Sequence, residues 1–412
     1  MAHALRSGSE PVNPKKPVLI AGAGLSGLAC ALTLQKKGIP YLLFDQSSRA
    51  GGRVKTDQTK DGFRLDRGFQ VLLTSYPSLR DFLNLNELRL RPFSSGALIY
   101  GKDSSQLLAN PFRHPNLIFK TLFSQIPTLF DKILVSRLVL EAQAFREMQN
   151  LKGQSTHDFL REYGFSHQFI TQFWRPFLGG VTLDPRLSVD AHFFLFLLRC
   201  FSLGSVSVPA LGMEEIPKQM FKSLDARSVR LSSPVATVQE NQFILESGEV
   251  LSGGATVQTY ETKRERYRSV ITYYFAGSVE PNFKKWLVLI PPGLGFKLNH
   301  LAVMSAVSPD YAPPGQVLIS ASIIFSSQEP DEALSANSIR DELNEIAKKD
   351  LKLSHLRRDV IRHALPELTH SPKFIRDGDQ YFCGDYLCHP SIEGALKSGK
   401  LTALEIAKGL QA

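Results

Sequence analysis

The 412-residue chain is 43% hydrophobic and 21% charged, an ordinary globular balance and more sequence than one compact core usually holds, so two domains are expected. Its net charge of +9 is spread along the chain, densest at Lys263, Arg264, Arg266 and Arg268; with no basic face interleaved with aromatics, a nucleic-acid partner is not expected. Four cysteines, Cys30, Cys200, Cys383 and Cys388, are too few for a disulfide framework, and the spacing of Cys383 and Cys388 excludes haem attachment.

Residues 1–16 are polar and lack the apolar core of a signal peptide, so they read as a disordered leader. No run of about 18 apolar residues follows, and a spanning helix is not expected. On these features the chain is expected in the cytoplasm or an organelle stroma rather than among secreted proteins.

Pro17 to Ala21 is a wholly apolar run, suited to a parallel strand buried on both faces. Gly22-Ala23-Gly24-Leu25-Ser26-Gly27 comes next, and Leu25, Leu28, Ala29 and Leu32 recur at helical spacing. Gly38 marks the stop, and a second strand, Tyr41 to Phe44, ends at Asp45. The chemistry follows from that order. Gly22 permits a tight turn, Gly24 lets a pyrophosphate approach the backbone, and Gly27 lets the helix pack against the strand. The helix start offers unpaired N–H groups to phosphate. Asp45 lies where a carboxylate accepts from adenosine ribose hydroxyls, and it would repel a 2′-phosphate. Strand, turn, helix, strand and acid in register read as a dinucleotide site.

Gly51-Gly52-Arg53 follows closely, with room for a second backbone approach and a guanidinium for phosphate charge. Further on come Gly68-Phe69-Gln70, a helix-rich stretch over 111–203 that includes 119–126 and 131–148, and a helix over 214–224. Short strands are expected at 229–231, 235–238 and 243–245, with a hairpin turn at Gly248. Ala255 to Thr259 also reads as a strand, though its Thr and Gln make it polar for a buried one. Residues 269–325 are rich in β-branched and aromatic residues and read as strands; 335–349 reads as a helix. Gln380 to Cys383 reads as a strand, followed by Gly384-Asp385 and a final helix opening at Ser391-Ile392-Glu393-Gly394-Ala395.

The acid followed by Gly51-Gly52-Arg53, with Gly384-Asp385 before the last helix, resembles the flavin amine oxidase and phytoene desaturase superfamily. That group includes monoamine oxidases, protoporphyrinogen oxidases and carotenoid desaturases. Trp174-Arg175-Pro176-Phe177 and Tyr311-Ala312-Pro313-Pro314-Gly315 look more like the desaturase-like branch. The resemblance implies FAD, with Gly51, Gly52 and Arg53 beside its pyrophosphate and Asp385, after Gly384, meeting a ribityl hydroxyl or phosphate. It implies the backbone of Val235 near adenine, and Ser391, Ile392, Glu393 and Ala395 presenting N–H groups to the flavin's pyrimidine edge. Gly68, Phe69 and Gln70 complete the set with Gly22, Ala23, Gly24, Leu25, Ser26, Gly27 and Asp45.

The fold class expected is α/β: a Rossmann-like FAD-binding domain with a central parallel sheet, discontinuous in sequence (17–90, 204–262 and 370–412), and a mixed-sheet and helical substrate domain (91–203 and 263–369). The function expected is an FAD-dependent oxidoreductase taking two hydrogens from a C–N or C–C bond of an apolar small molecule. With no second Gly-x-Gly-x-x-Gly in the sequence, oxygen, a quinone or another acceptor is expected to reoxidise the flavin. A flavin-dependent isomerase, or a prenyl-lipid-binding protein of the Rab escort type, is the alternative. No HExxH or metal-spaced His/Cys cluster occurs, so no metal is expected. His300, His389 and Lys297 read more readily as structural or solvated groups than as catalytic ones, and no base is assigned. Phe119, Leu122, Phe123, Ile126 and Leu129 with Lys120 and Lys132 suggest a peripheral membrane contact.

Overall fold

The computed structural model describes residues 16–110, 113–114, 127–144, 153–239, 241–260, 267–325, 334–367, 376–377 and 380–410. The leader before Lys16, the 119–126 stretch, the end of the 131–148 helix, and Lys263, Arg264 and Arg266 lie outside the described residues.

Four strands form the heart of a six-stranded sheet: β1 (Val18–Ala21), β2 (Tyr41–Phe44), β3 (Ala255–Gln258) and β4 (Gln380–Phe382). Their spatial order is β2, β1, β3, β4, every neighbouring pair parallel. Val229–Arg230 adds parallel to β2, and Arg376–Asp377 closes the other edge antiparallel. β1 is wholly buried, as its apolar sequence requires. β3 is also wholly buried despite Thr256 and Gln258. The Gln258 amide is satisfied inside the protein, donating to the Tyr260 carbonyl at 2.8 Å and accepting from Gln380 Nε2 at 3.0 Å.

Helix α1 (Leu25–Lys36) leaves β1 through the glycine turn. The final helix, Ile392–Gly409, leaves β4 through Gly384-Asp385. The two touch backbone to backbone: a Cβ on Gly399 would stand 2.1 Å from the Ser26 carbonyl oxygen. Both helices therefore begin at the same edge of the sheet, at the C-terminal ends of parallel strands, where ligands of such sheets bind.

A second sheet has seven strands, in the order 354–366, 267–277, 317–325, 300–303, 287–289, 96–99, 106–109. It is antiparallel apart from the parallel pair 287–289 and 96–99. Alternation along Tyr267–Gly277 divides its burden. Ile271, Tyr273 and Phe275 pack with Ile339, Leu343 and Ile346 of the helix Ala336–Ala347, whereas Tyr274 and Ala276 join the core that includes β1 and α1. Helices between 129 and 203 enclose a third core around Leu138, Trp174 and Phe194. Among the described residues no helix is long and apolar enough to cross a membrane. The mixed α/β architecture, with one largely parallel and one mixed sheet, is the fold class the sequence implies.

Candidate functional site

The glycine turn after β1 is fixed by close approach. Gly22 has φ +108°, and a Cβ there would meet Thr259 Oγ1 at 2.1 Å. A Cβ on Gly27 would stand 1.9 Å from the Gly22 carbonyl oxygen, so this glycine sets how near α1 lies to its own turn. Gly24 differs: a Cβ there meets only the Gly52 Cα, at 3.9 Å, and would point into the open groove. Gly24 bridges to Gly51, and Gly51 N–H donates to the Ala23 carbonyl at 2.8 Å. Two glycine turns thus face each other across a backbone-lined cleft. Gly24 is the N-cap of α1 and supplies no side-chain cap, so the first N–H groups of the helix are left for a ligand, as pyrophosphate requires.

Asp45 closes this end. One carboxylate oxygen accepts from Ala23 N–H and the other from Ser47 N–H, both at 2.7 Å. Each oxygen keeps a second lone pair for a hydroxyl. Ser232 and Ser233 N–H groups donate to the Ser47 and Asp45 carbonyls, which draws the 231–233 segment alongside. Val235 itself lies further on, paired with Leu245 in a separate three-stranded sheet, and it does not line the groove.

Arg53 spans the groove. Its Nη2 meets Asp385 Oδ1 at 2.5 Å and its Nη1 donates to the Ala364 carbonyl at 2.7 Å. Asp385 is buried while Arg53 stays 43% exposed on its side chain, so the guanidinium retains donors that face the groove. Gln70 donates to the Arg53 carbonyl at 3.1 Å, and Gly68, Phe69 and Gln70 all line the same cavity. Ser391 caps the final helix, accepting from Gly394 N–H at 3.0 Å, and Ile392 and Ala395 form wall. Glu393 turns the other way. Its buried carboxylate accepts from Ser78 N–H at 2.9 Å and Ser78 Oγ at 2.7 Å, tying the helix to the 78–82 segment. Burial raises its pKa, opposed by the Ser78 bonds and Lys397. Gly384 lies behind the wall: its N–H donates to Ser398 Oγ at 2.9 Å, and a Cβ would collide with Tyr386. Gly22, Ala23 and Gly27 likewise shape the turn from behind, whereas Gly24, Leu25, Ser26, Asp45, Gly51, Gly52, Arg53 and Asp385 face the cavity.

That cavity measures about 1290 Å³, beyond the roughly 300–1,000 Å³ of ordinary small-molecule sites. It runs from the glycine turns into a chamber walled by Phe93, Phe173, Phe177 and Phe201, among others. Helix α2 (Leu129–Ala144) closes one side. Leu134, Leu138 and Ala142 face the core, and Val135, Ser136 and Val139 face the chamber. A wide turn at Ile170–Trp174, just before Pro176, places Phe173 and Phe177 as stacked rings 5.4 Å apart on the wall; Pro176 brings no N–H to the helix ladder. His300 lines the cavity with its ring 5.0 Å from Phe69. Burial lowers its pKa to about 4, leaving it neutral at pH 7. His389, lowered to about 4 mainly by burial and also by Lys397, holds Ser391 Oγ at 2.8 Å and packs on Phe193 and Phe196. Lys297 is exposed and away from the cavity. Among the described residues no group of three His, Cys, Asp or Glu side chains is placed to hold a metal ion. Sequence reasoning expected the helix but not that it walls a chamber with Phe173 and Phe177, because such a face has the signal of ordinary core.

The model of the "Flavin containing amine oxidoreductase" family matches residues 25–272. The chain is 37% identical over 277 residues to an L-amino-acid oxidase of Crotalus adamanteus, covering 64% of this chain and 50% of the relative. It is 23% identical over 295 residues to protoporphyrinogen oxidase 2, chloroplastic/mitochondrial, of Arabidopsis thaliana, covering 62% and 56%. These alignments span about half the length of the curated relatives. An oxidoreductase from Methanosarcina mazei shares the fold with a TM-score of 0.71 at 16% identity, over 94% of this chain and 100% of that one. The glycine cradle, the uncapped helix start and the matched segment agree: the chain belongs to the flavin-containing amine oxidoreductase family, with FAD as its cofactor.

Proposed function

We propose that the chain is an FAD-dependent oxidoreductase that removes two hydrogens from a C–N or C–C bond of an apolar substrate held in the aromatic chamber. The observation that carries this reading is the single cavity joining the glycine cradle to that chamber. Bound FAD would accept hydride, with oxygen, a quinone or another acceptor regenerating it. Gly24 and the start of α1 hold its pyrophosphate, Asp45 its adenosine ribose, and Arg53 with Asp385 the phosphate and ribityl span. The start of the final helix, at Ile392 and Ala395, directs N–H groups to the ring, and the apolar wall excludes water from the reacting bond. Anaerobic bleaching of the bound flavin by amines, carotenes and porphyrinogens tests the reading, with bleaching by one class expected. A flavin that no candidate bleaches, but that isomerises a nucleotide sugar once chemically reduced, would replace oxidation with isomerisation. A purified protein that takes up no FAD would favour a non-catalytic lipid carrier.

The outer face of α2 supports a second element. Leu129, Phe130 and Ile133 are 65%, 61% and 59% exposed, on a helix whose other face is chamber wall. This face rests on a lipid surface, from which an apolar substrate enters. Co-sedimentation with anionic vesicles should fall more than about tenfold in Phe130→Ser/Ile133→Ser, given roughly 1.5–3 kcal/mol per buried apolar side chain. Unchanged sedimentation refutes it.

A further inference from the structure

The charged groups on the cavity wall are unevenly placed. Its carboxylates are Asp45 and Asp385 among the described residues, both at the dinucleotide end. Its cations are Arg53, Arg67, Arg113 and Lys132. Arg53 is tied to Asp385, and Arg67 to Asp57 at 2.9 Å. Arg113 is exposed at the chamber rim and donates one Nη2 bond, 2.7 Å, to the Gly204 carbonyl, with no carboxylate partner among the described residues. A guanidinium has five N–H donors, so one backbone carbonyl leaves most of the fork uncommitted. That carbonyl bond ties it to the wall segment that also carries Phe201, whose ring lies 5.2 Å from Phe177. Lys132 faces the same chamber from α2, and burial lowers its pKa against the opposing charge of Asp131. Among the described residues lining this end, an ammonium would meet the Arg113 guanidinium and no carboxylate. A chain ending in an oxyanion would meet a planar fork built for it, with aromatic surface for its apolar part.

We infer that the chamber takes an apolar chain ending in an oxyanion, a carboxylate or phosphate monoester, whose head group pairs with Arg113. The inference rests on the chamber being the substrate site, and it narrows the substrate to an amphiphilic anion rather than a free amine. An anchored head group would also fix which bond along the chain reaches the flavin.

The test uses the flavin-loaded protein and four probes below their micelle concentrations: dodecanoate, dodecyl phosphate, dodecanol and dodecylammonium. Binding is read by calorimetry and by perturbation of the flavin's visible absorption. At least one oxyanion should bind about tenfold tighter than dodecanol, as a charge-assisted bond at a half-solvated rim allows, and dodecylammonium should bind weakest. The stronger of the two oxyanions identifies the head group. Arg113→Gln should bring the oxyanion within about twofold of dodecanol without changing dodecanol binding. Lys37→Gln, on an exposed lysine at the end of α1, should leave the preference intact and so separates a local contact from the net charge. Dodecanol or dodecylammonium binding as tightly as both oxyanions overturns the inference on the unaltered protein, whether or not the variant folds. So does a preference that survives Arg113→Gln. If no probe binds a flavin-loaded protein, the chamber reading fails as well.

Discussion

The two ends of the cavity are made of different material. At the dinucleotide end the wall is backbone, and the glycines leave almost no freedom: Gly22, Gly27 and Gly51 would each drive a Cβ within 2.5 Å of another atom. At the chamber end the wall is side chain, drawn from α2, the turn before Pro176, the 201–206 segment and the second sheet. A backbone wall recognises what all dinucleotides share and tolerates little change. A side-chain wall can be re-cut residue by residue without disturbing the cradle. If the chamber is the substrate site proposed above, the difference teaches that cofactor and substrate recognition are separable in this molecule.

Gly24→Val is the sharpest way to break that separation. The Cβ has room inside the protein but fills the cleft, so flavin content should fall more than about tenfold while the apo-protein keeps its fold and unfolds cooperatively. Full flavin occupancy in this variant would refute the cradle. Phe177→Ala addresses the other end. It should leave flavin content unchanged, weaken an apolar ligand about tenfold, and cost about 1–3 kcal/mol, less than a fully buried phenylalanine does. Flavin loss comparable to that of Gly24→Val would show the two ends to be coupled. Acid is the mildest lever. His300 has its pKa lowered below the usual 6.5, to about 4, so its neutral burial supports the fold above about pH 6.5, and that support is lost as pH falls toward about 4. Relative to His300→Gln, the wild-type protein should lose up to about 3 kcal/mol of unfolding free energy across that window. The comparison cancels Asp66, whose burial raises its pKa to about 6 and acts with opposite sign in both proteins. A difference that does not change with pH would mean that burial does not lower the His300 pKa.

How much was legible follows from the same contrast. The cradle could be read because its chemistry demands glycine at fixed intervals: Gly22, Gly27 and Gly51 have no room for a Cβ, and Gly24 leaves the cleft open. β3 was harder to read because Thr256 and Gln258 look wrong for a central strand; only the partners of Gln258 across β4 and at Tyr260 explain how a polar side chain survives there. The expectation for Glu393 concerned its backbone N–H; that its carboxylate would be buried against Ser78, 315 residues away, had no local signal. Val235 follows the segment that touches Asp45 by two residues, and that is enough to carry it off the wall. The chamber left no mark because Phe173, Phe177 and the inner face of α2 have the spacing of core residues, and only tertiary packing decides whether such a face meets protein or a cavity.

The Arg53–Asp385 pair joins positions 332 residues apart. The groove has no far bank until Asp385 has been made and β4 has entered the sheet beside β3. During synthesis the glycine turn therefore emerges early and waits, able to touch nucleotide but not to enclose it. Enclosure of the flavin therefore waits on Asp385, a residue made long after the turn that first meets it.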